Sequence, residues 1–289
     1  VETKKEIGLT KQQEDNKRAI SVFGPTGFVG SHFTQKSRFK AIPIARHNST
    51  SQSREILYLI GTVHNYNVFS DVNVDIDTNL KVLMNTLEAS RNIYPDLVFN
   101  FVSSWFVYGP GEIPFRENQP CNPKGFYSIT KYAAELLLRS YCETYSLNYR
   151  IIRLGNVLGP GDNKTSAKKN AVQFMANKIR NGEDIYLYEG GNVLRDFIHV
   201  DDVVMGLDLI IERAPMNQIF NLASGVGLNV GKLLHEFKAL TGSKSVLHQI
   251  ETPKFHNLVQ ARDSILDISK IKELGFAITK PITERELLV

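Results

Sequence analysis

The most constraining feature of this 289-residue chain is a short apolar run that stops at a glycine cluster and restarts as a helix. Residues 19–23 read Ala-Ile-Ser-Val-Phe, rich in the residues of a strand buried on both faces. They lead directly into Gly24-Pro25-Thr26-Gly27-Phe28-Val29-Gly30. Further runs of the same kind lie at residues 41–45, 55–60, 97–102, 149–154 and 218–222. Between them Leu80, Leu83, Met84 and Leu87 recur at helical spacing, and residues 127–145 and 200–212 read as helices too. Strands alternating with helices predict an α/β fold, a doubly wound parallel sheet covered on both faces. Residues 19–154 would form the main domain, with 198–222 returning to it. Residues 155–197 and 223–289 would form a smaller C-terminal part. The polar residues 1–18 read as a leader outside the fold.

One connection is short. Only residues 46–54, a polar Arg-His-Asn-Ser-Thr-Ser-Gln-Ser-Arg stretch, join the second and third strands. If those strands flank the first, the link must cross about 10 Å and return along a strand of about 17 Å. Nine extended residues reach roughly 30 Å, so the crossing is feasible but taut. A strand–helix unit that usually stands here is missing from the protein or omitted from this sequence.

Composition excludes several classes. A hydrophobic content of 42% supplies a core, and 22% charged residues with a net charge of +4 leave no basic run dense enough for nucleic acid. No apolar stretch approaches a membrane span. The charged N-terminus lacks a signal-peptide core. Cys121 and Cys142 form no disulfide framework and have no metal-ligand spacing, so no metal is expected and a cytoplasmic location is the default.

Glycines after a first strand let backbone amides approach a pyrophosphate at a helix N-terminus, where the dipole favours negative charge. Gly24, Thr26, Gly27, Phe28, Val29 and Gly30 are therefore candidate dinucleotide-binding residues. Arg46, at the end of the second strand, stands where an acid would bind the adenosine ribose, and an arginine there suits the 2′-phosphate of NADP. The coenzyme is NAD or NADP, with a mild lean to the latter. Tyr127-Ser-Ile-Thr-Lys131 places a phenol and an ammonium on one helix face. A free phenol has a pKa of about 10, and a cation one turn away would lower it toward the range of a working base. Ser104, in Phe101-Val-Ser-Ser104-Trp-Phe-Val-Tyr-Gly109, falls at a strand end, where ligands bind in such sheets.

Together these motifs resemble the extended short-chain dehydrogenase/reductase family, in its NAD-dependent nucleotide-sugar epimerase/dehydratase branch. The resemblance runs from residue 19 nearly to the end. It includes residues 57–64 (Leu-Tyr-Leu-Ile-Gly-Thr-Val-His), 153–161 (Arg-Leu-Gly-Asn-Val-Leu-Gly-Pro-Gly), 195–202 (Arg-Asp-Phe-Ile-His-Val-Asp-Asp), 220–225 and 266–276. It implies that Ser104, Tyr127 and Lys131 are catalytic, that Ile60 passes the coenzyme, and that Asn156, Arg195 and Arg262 hold a nucleotide-diphosphate sugar. Arginines suit a diphosphate on physical grounds. Trp105 would wall the pocket or stack on the sugar.

Dehydratases and decarboxylases of the family look for an acid just after the catalytic Ser or Thr. Trp105 and Phe106 stand there, and neither can carry a proton. The activity implied is epimerisation of a nucleotide sugar, most often at C4, through a transient keto sugar. The alternatives are an NADPH-dependent keto-sugar reductase and, from another class, a non-catalytic dinucleotide sensor. A homodimer is a further implication of the resemblance.

Overall fold

The structure, a computed structural model, describes residues 18–162, 165–260 and 263–288. Its centre is a six-stranded, all-parallel sheet made of β1 (Ala19–Phe23), β2 (Lys40–Ile44), β3 (Glu55–Tyr58), β4 (Val98–Ser104), β5 (Asn148–Leu154) and β9 (Gln218–Leu222). The order across it is β2-β1-β3-β4-β5-β9. This is the doubly wound α/β architecture read from the sequence.

Both faces of the sheet are dry because side chains alternate along each strand. Ile20, Val22 and Leu57 enter one core with Phe33 of helix α1 (Phe28–Lys36) and Leu207 of α5 (Val200–Arg213). Phe23, Ile56 and Tyr58 enter the other, with Leu83 and Leu87 of α2 (Val82–Arg91) and Ala134 and Leu138 of α3 (Phe126–Tyr145). Helix α2 continues from the turn Val74–Ile76 through a π-helical segment, Asp77–Lys81.

The short link does what the spacing required: β2 and β3 both pair with β1. Serines take it across. Ser53 Oγ accepts from Ser21 N at 2.8 Å, Ser21 Oγ accepts from Gln52 N at 2.9 Å, and Ser90 Oγ of α2 accepts from Ser51 N at 3.1 Å. Ser51 and Ser53 are buried, so these bonds satisfy polar groups that the crossing would otherwise strand. β2 is left as the outermost strand, with Pro43 opposite Val22.

Beyond the main sheet, β6 (Asn156–Leu158), β8 (Leu194–His199) and β10 (Gly227–Asn229) form a three-stranded sheet, while β7 (Ile185–Tyr188) pairs in parallel with β11 (Leu247–Ile250). With α4 (Ala171–Arg180) and α6 (Val230–Thr241) they enclose a third core around Ile179, Leu187, Leu234 and Phe237. β9 joins the main sheet and α5 packs on α1, so the chain crosses back after β8. Among the described residues, no helix is long and apolar enough to cross a membrane.

Candidate active site

A cleft of about 740 Å³ lies at the carboxyl ends of the central strands, between the main sheet and the smaller sheets. Its floor begins at the glycine turn. Gly24 has φ +84°, which a side chain would strain, and Gly27 N donates to Gly24 O at 3.2 Å. A Cβ on Gly30 would fall 2.1 Å from the Gly24 carbonyl oxygen, so the turn closes only on glycine there. Among the described residues no side chain caps α1, so its first-turn amides suit an anion. Gly24, Gly27, Phe28, Val29 and Gly30 line the cleft.

Three expected coenzyme contacts do not line it. Thr26 is exposed at the turn tip. Ile60 packs into the core, while its neighbours Leu59 and Gly61 line the cleft. Arg46 is exposed just past β2, where the chain reverses into the serine link. The argument that Arg46 favours NADP therefore has no geometry behind it.

Ser104, Tyr127 and Lys131 are brought together, and all three line the cleft. Ser104 ends β4, where its hydroxyl accepts from Phe106 N at 3.3 Å and favours the ionised form of the Tyr127 phenol. Lys131 Nζ donates to the Val102 carbonyl at 2.8 Å and lies 4.2 Å from the centroid of Phe101. The electrostatics run opposite to the expectation from spacing. Burial pushes the phenol up to about 12; the Ser104 hydroxyl opposes the rise and the charge of Asp75 adds to it. Burial also takes the lysine down to about 7, with Glu135 resisting. Phenol and lysine are buried together, so desolvation dominates both shifts.

Asn79, in the π-helical segment, ties this corner together. It accepts from Thr62 N at 2.9 Å and donates to Thr62 Oγ1 and Thr130 Oγ1, each at 2.9 Å. Sequence reading placed Asn79 on an amphipathic helix and missed this polar role.

At the far end, Trp105 Nε1 donates to Asn156 Oδ1 at 3.2 Å, and Asn156 Nδ2 donates to the Asp196 carbonyl at 3.0 Å. The Arg195 guanidinium lies 5.5 Å from the Trp105 ring. Burial lowers Arg195 to about 10, still charged at neutral pH, with Asp263 opposing the shift. Trp105, Asn156 and Arg195 thus form one linked group. Arg262 lies outside the described residues. Lys168, Lys169 and Lys178 bring more positive charge to this end, and Tyr66, Tyr186, Tyr188 and His256 line it with rings. His256 Nδ1 meets the Tyr66 hydroxyl at 2.6 Å, and burial, with the charge of Arg195 second, lowers the imidazole to about 4. None of these seven side chains was legible as a site residue, since they come from four separate stretches of chain.

Residues 44–223, more than half of the chain, match the sequence model of the NAD dependent epimerase/dehydratase family. The chain belongs to that family. The low-salt glycan biosynthesis protein Agl12 of Haloferax volcanii is 30% identical over 203 residues, which is 70% of this chain and 63% of its own length. The chain spans just under two thirds of the length of Agl12 and of other curated relatives it matches. UDP-glucose 4-epimerase of Thermotoga maritima, solved with UDP-glucose, superposes with a TM-score of 0.82 at 24% identity, covering 93% of this chain and 96% of that one. RMD of Pseudomonas aeruginosa, solved with NADPH, gives 0.82 at 19% identity over 94% and 98%. At these identities the two structures speak for the fold.

Within this epimerase/dehydratase chain, the two residues after Ser104 form a packed aromatic pair. Trp105 and Phe106 have ring centroids 4.1 Å apart, and Phe106 meets Tyr127 edge-on at 5.6 Å. Two rings thereby link the phenol to the Asn156–Arg195 end.

Proposed function

We propose that the protein is an NAD(P)-dependent nucleotide-sugar epimerase acting at C4 through a transient keto sugar. One observation carries the reading: a single cleft holds an anion seat at Gly24–Gly30, a phenol–hydroxyl–lysine group in the middle, and a cationic aromatic end around Arg195. The residues fit a dinucleotide, because Gly24 and Gly30 let the turn close tightly at the start of α1, where no side-chain cap competes with a phosphate among the described residues. A bound nicotinamide supplies the site for reversible hydride transfer.

The chain's own residues do the rest. The Tyr127 oxygen takes the proton from the sugar hydroxyl and returns it after the keto sugar has turned. Ser104 shares that proton and steadies the developing carbonyl. Lys131 holds the coenzyme beside the phenol and, when protonated, favours phenolate. Asn156 and Arg195 seat the diphosphate, with Trp105 beneath the guanidinium. Trp105 and Phe106 keep water and acidic groups away from the sugar carbons, which stops the chemistry short of dehydration.

A second reading is a keto-sugar reductase. The phenol's elevated pKa favours it, since a protonated Tyr127 is poised to donate. Proton NMR of UDP-glucose and other nucleotide sugars incubated with the purified protein separates the two. The epimerase forms a C4 epimer with no net coenzyme consumption, whereas the reductase forms none and consumes NAD(P)H with a keto sugar. Unimpaired turnover by Tyr127→Phe would sink both.

A further inference from the structure

Asp75 is 1% exposed and lies in the turn Val74–Ile76, which packs directly on α3. Its Oδ1 accepts from the Thr62 hydroxyl and, at 2.9 Å, from Asn67 Nδ2. Its Oδ2 is buried without a hydrogen-bond partner among the described residues. Burying a carboxylate with one oxygen unmet costs several kcal/mol. Asparagine could accept the same two bonds without the charge. The charge therefore needs a reason.

Asp75 is the terminal acceptor of a line of hydrogen bonds whose direction the Thr62 amide sets, since Thr62 N donates to Asn79 Oδ1. A carboxylate only accepts, so the Thr62 hydroxyl must donate to Asp75 and receive from Asn79 Nδ2. Asn79 spends its second N–H on Thr130 Oγ1, and Thr130 donates back to the Phe126 and Tyr127 carbonyls at 2.8 and 3.1 Å. The line ends in the first turn of α3, between Tyr127 and Lys131. Thr62 itself lines the cleft next to Gly61, whose Cβ position lies 3.5 Å from Lys131 Nζ.

We propose that Asp75 is a positioning residue of this site: its buried carboxylate, at the end of the Thr62–Asn79–Thr130 line that runs into the first turn of α3, opposes negative charge on Tyr127. The proposal rests on the reading of Tyr127 as the acid–base group. Ser104 acts on the phenol from the end of β4, Phe106 meets its ring edge-on, and Asp75 acts through its charge from the Val74–Ile76 turn; Lys131 and His64 line the same cleft. Of these, Asp75 carries the negative charge, and it is the charge that adds to the rise of the phenol. A resting site built this way keeps Tyr127 protonated until a positive partner offsets Asp75.

The test needs no substrate. In protein labelled with ¹³C at tyrosine Cζ, Tyr127→Phe identifies the Tyr127 resonance, and its phenolate fraction is followed into the alkaline range while circular dichroism checks the fold. Asp75→Asn, which keeps the acceptor oxygen, should lower the titration midpoint by about one pH unit, the size a lost neighbouring like charge gives. Asp75→Glu should restore it. If Asp75→Asn does not fold, the smaller neutral Asp75→Ser is read the same way. An unchanged midpoint in a folded neutral variant overturns the proposal. Full turnover by Tyr127→Phe would instead remove the acid–base reading while leaving the NMR result in place.

Discussion

Glu135 and Arg153 face each other as a buried bidentate ion pair, Nε to Oε1 at 3.1 Å and Nη2 to Oε2 at 2.7 Å, one helical turn beyond Lys131. Both are at most 2% exposed, and the pair clamps α3 to β5. Breaking a buried pair leaves one charge uncompensated and costs about 3–5 kcal/mol, whereas an apolar replacement of both is often neutral. Glu135→Gln should therefore lower the urea midpoint sharply. Glu135→Leu combined with Arg153→Met should recover most of the loss. Equal instability of the single and double variants would contradict this.

Lys131 sets a stability signature that needs no ligand. Its ammonium is lowered from 10.5 to about 7 by burial. Between those values the unfolded chain binds a proton that the folded chain does not, so stability contributed here rises with pH across that window. Below it, the folded protein bears the full cost of a buried charge. Lys131→Met should melt several degrees higher than wild type near about pH 6, with the gain shrinking toward pH 10. A pH-independent difference would count against a buried ammonium.

Gly30→Ala tests the anion seat. The new Cβ meets the Gly24 carbonyl at 2.1 Å and must spread the turn. Calorimetric titration with NADH should show binding weakened at least about tenfold, or 1.4 kcal/mol. Gly182→Ala is a contrasting control away from the cleft, where an added Cβ meets nothing within 4 Å, although its φ of +75° carries its own backbone cost. Unaltered NADH affinity in Gly30→Ala would argue against the seat.

Trp105→Phe keeps a ring and removes one donor. Asn156 then loses the bond that orients its carboxamide, and Arg195 loses part of the surface beneath it. Binding of UDP should weaken about 5–30-fold, the span of one buried hydrogen bond to two, with NADH binding unchanged. A loss shared equally by both ligands would point to general disorder of the cleft.

Much of this molecule could be read before its coordinates. The strands announced themselves because alternating burial on two faces demands continuous apolar runs, and Gly24–Gly30 because only glycine fits the turn. Ser104, Tyr127 and Lys131 were legible from motif and order. Their electrostatics were not: i,i+4 spacing says that two groups are near, and nothing about whether water reaches them. Arg46 does not line the cleft, and the end of a strand does not reveal which way the next turn carries the chain. Tyr188 and His256 escaped notice for a related reason. Strand β7 and the segment Lys254–Val259 are far apart in sequence, and only the β7–β11 pairing brings them together.

The outermost strand carries a quieter lesson. A sheet border normally invites another strand to dock, and proteins blunt such borders with proline or charge. Here Pro43 occupies the border with no amide hydrogen to offer, and Lys40 is exposed at its start. The abbreviated serine crossing and that proline belong together: having dispensed with further strands on this flank, the architecture has also sealed it. Restoring a longer connection there would have to replace Pro43 before a seventh strand could zip onto the sheet.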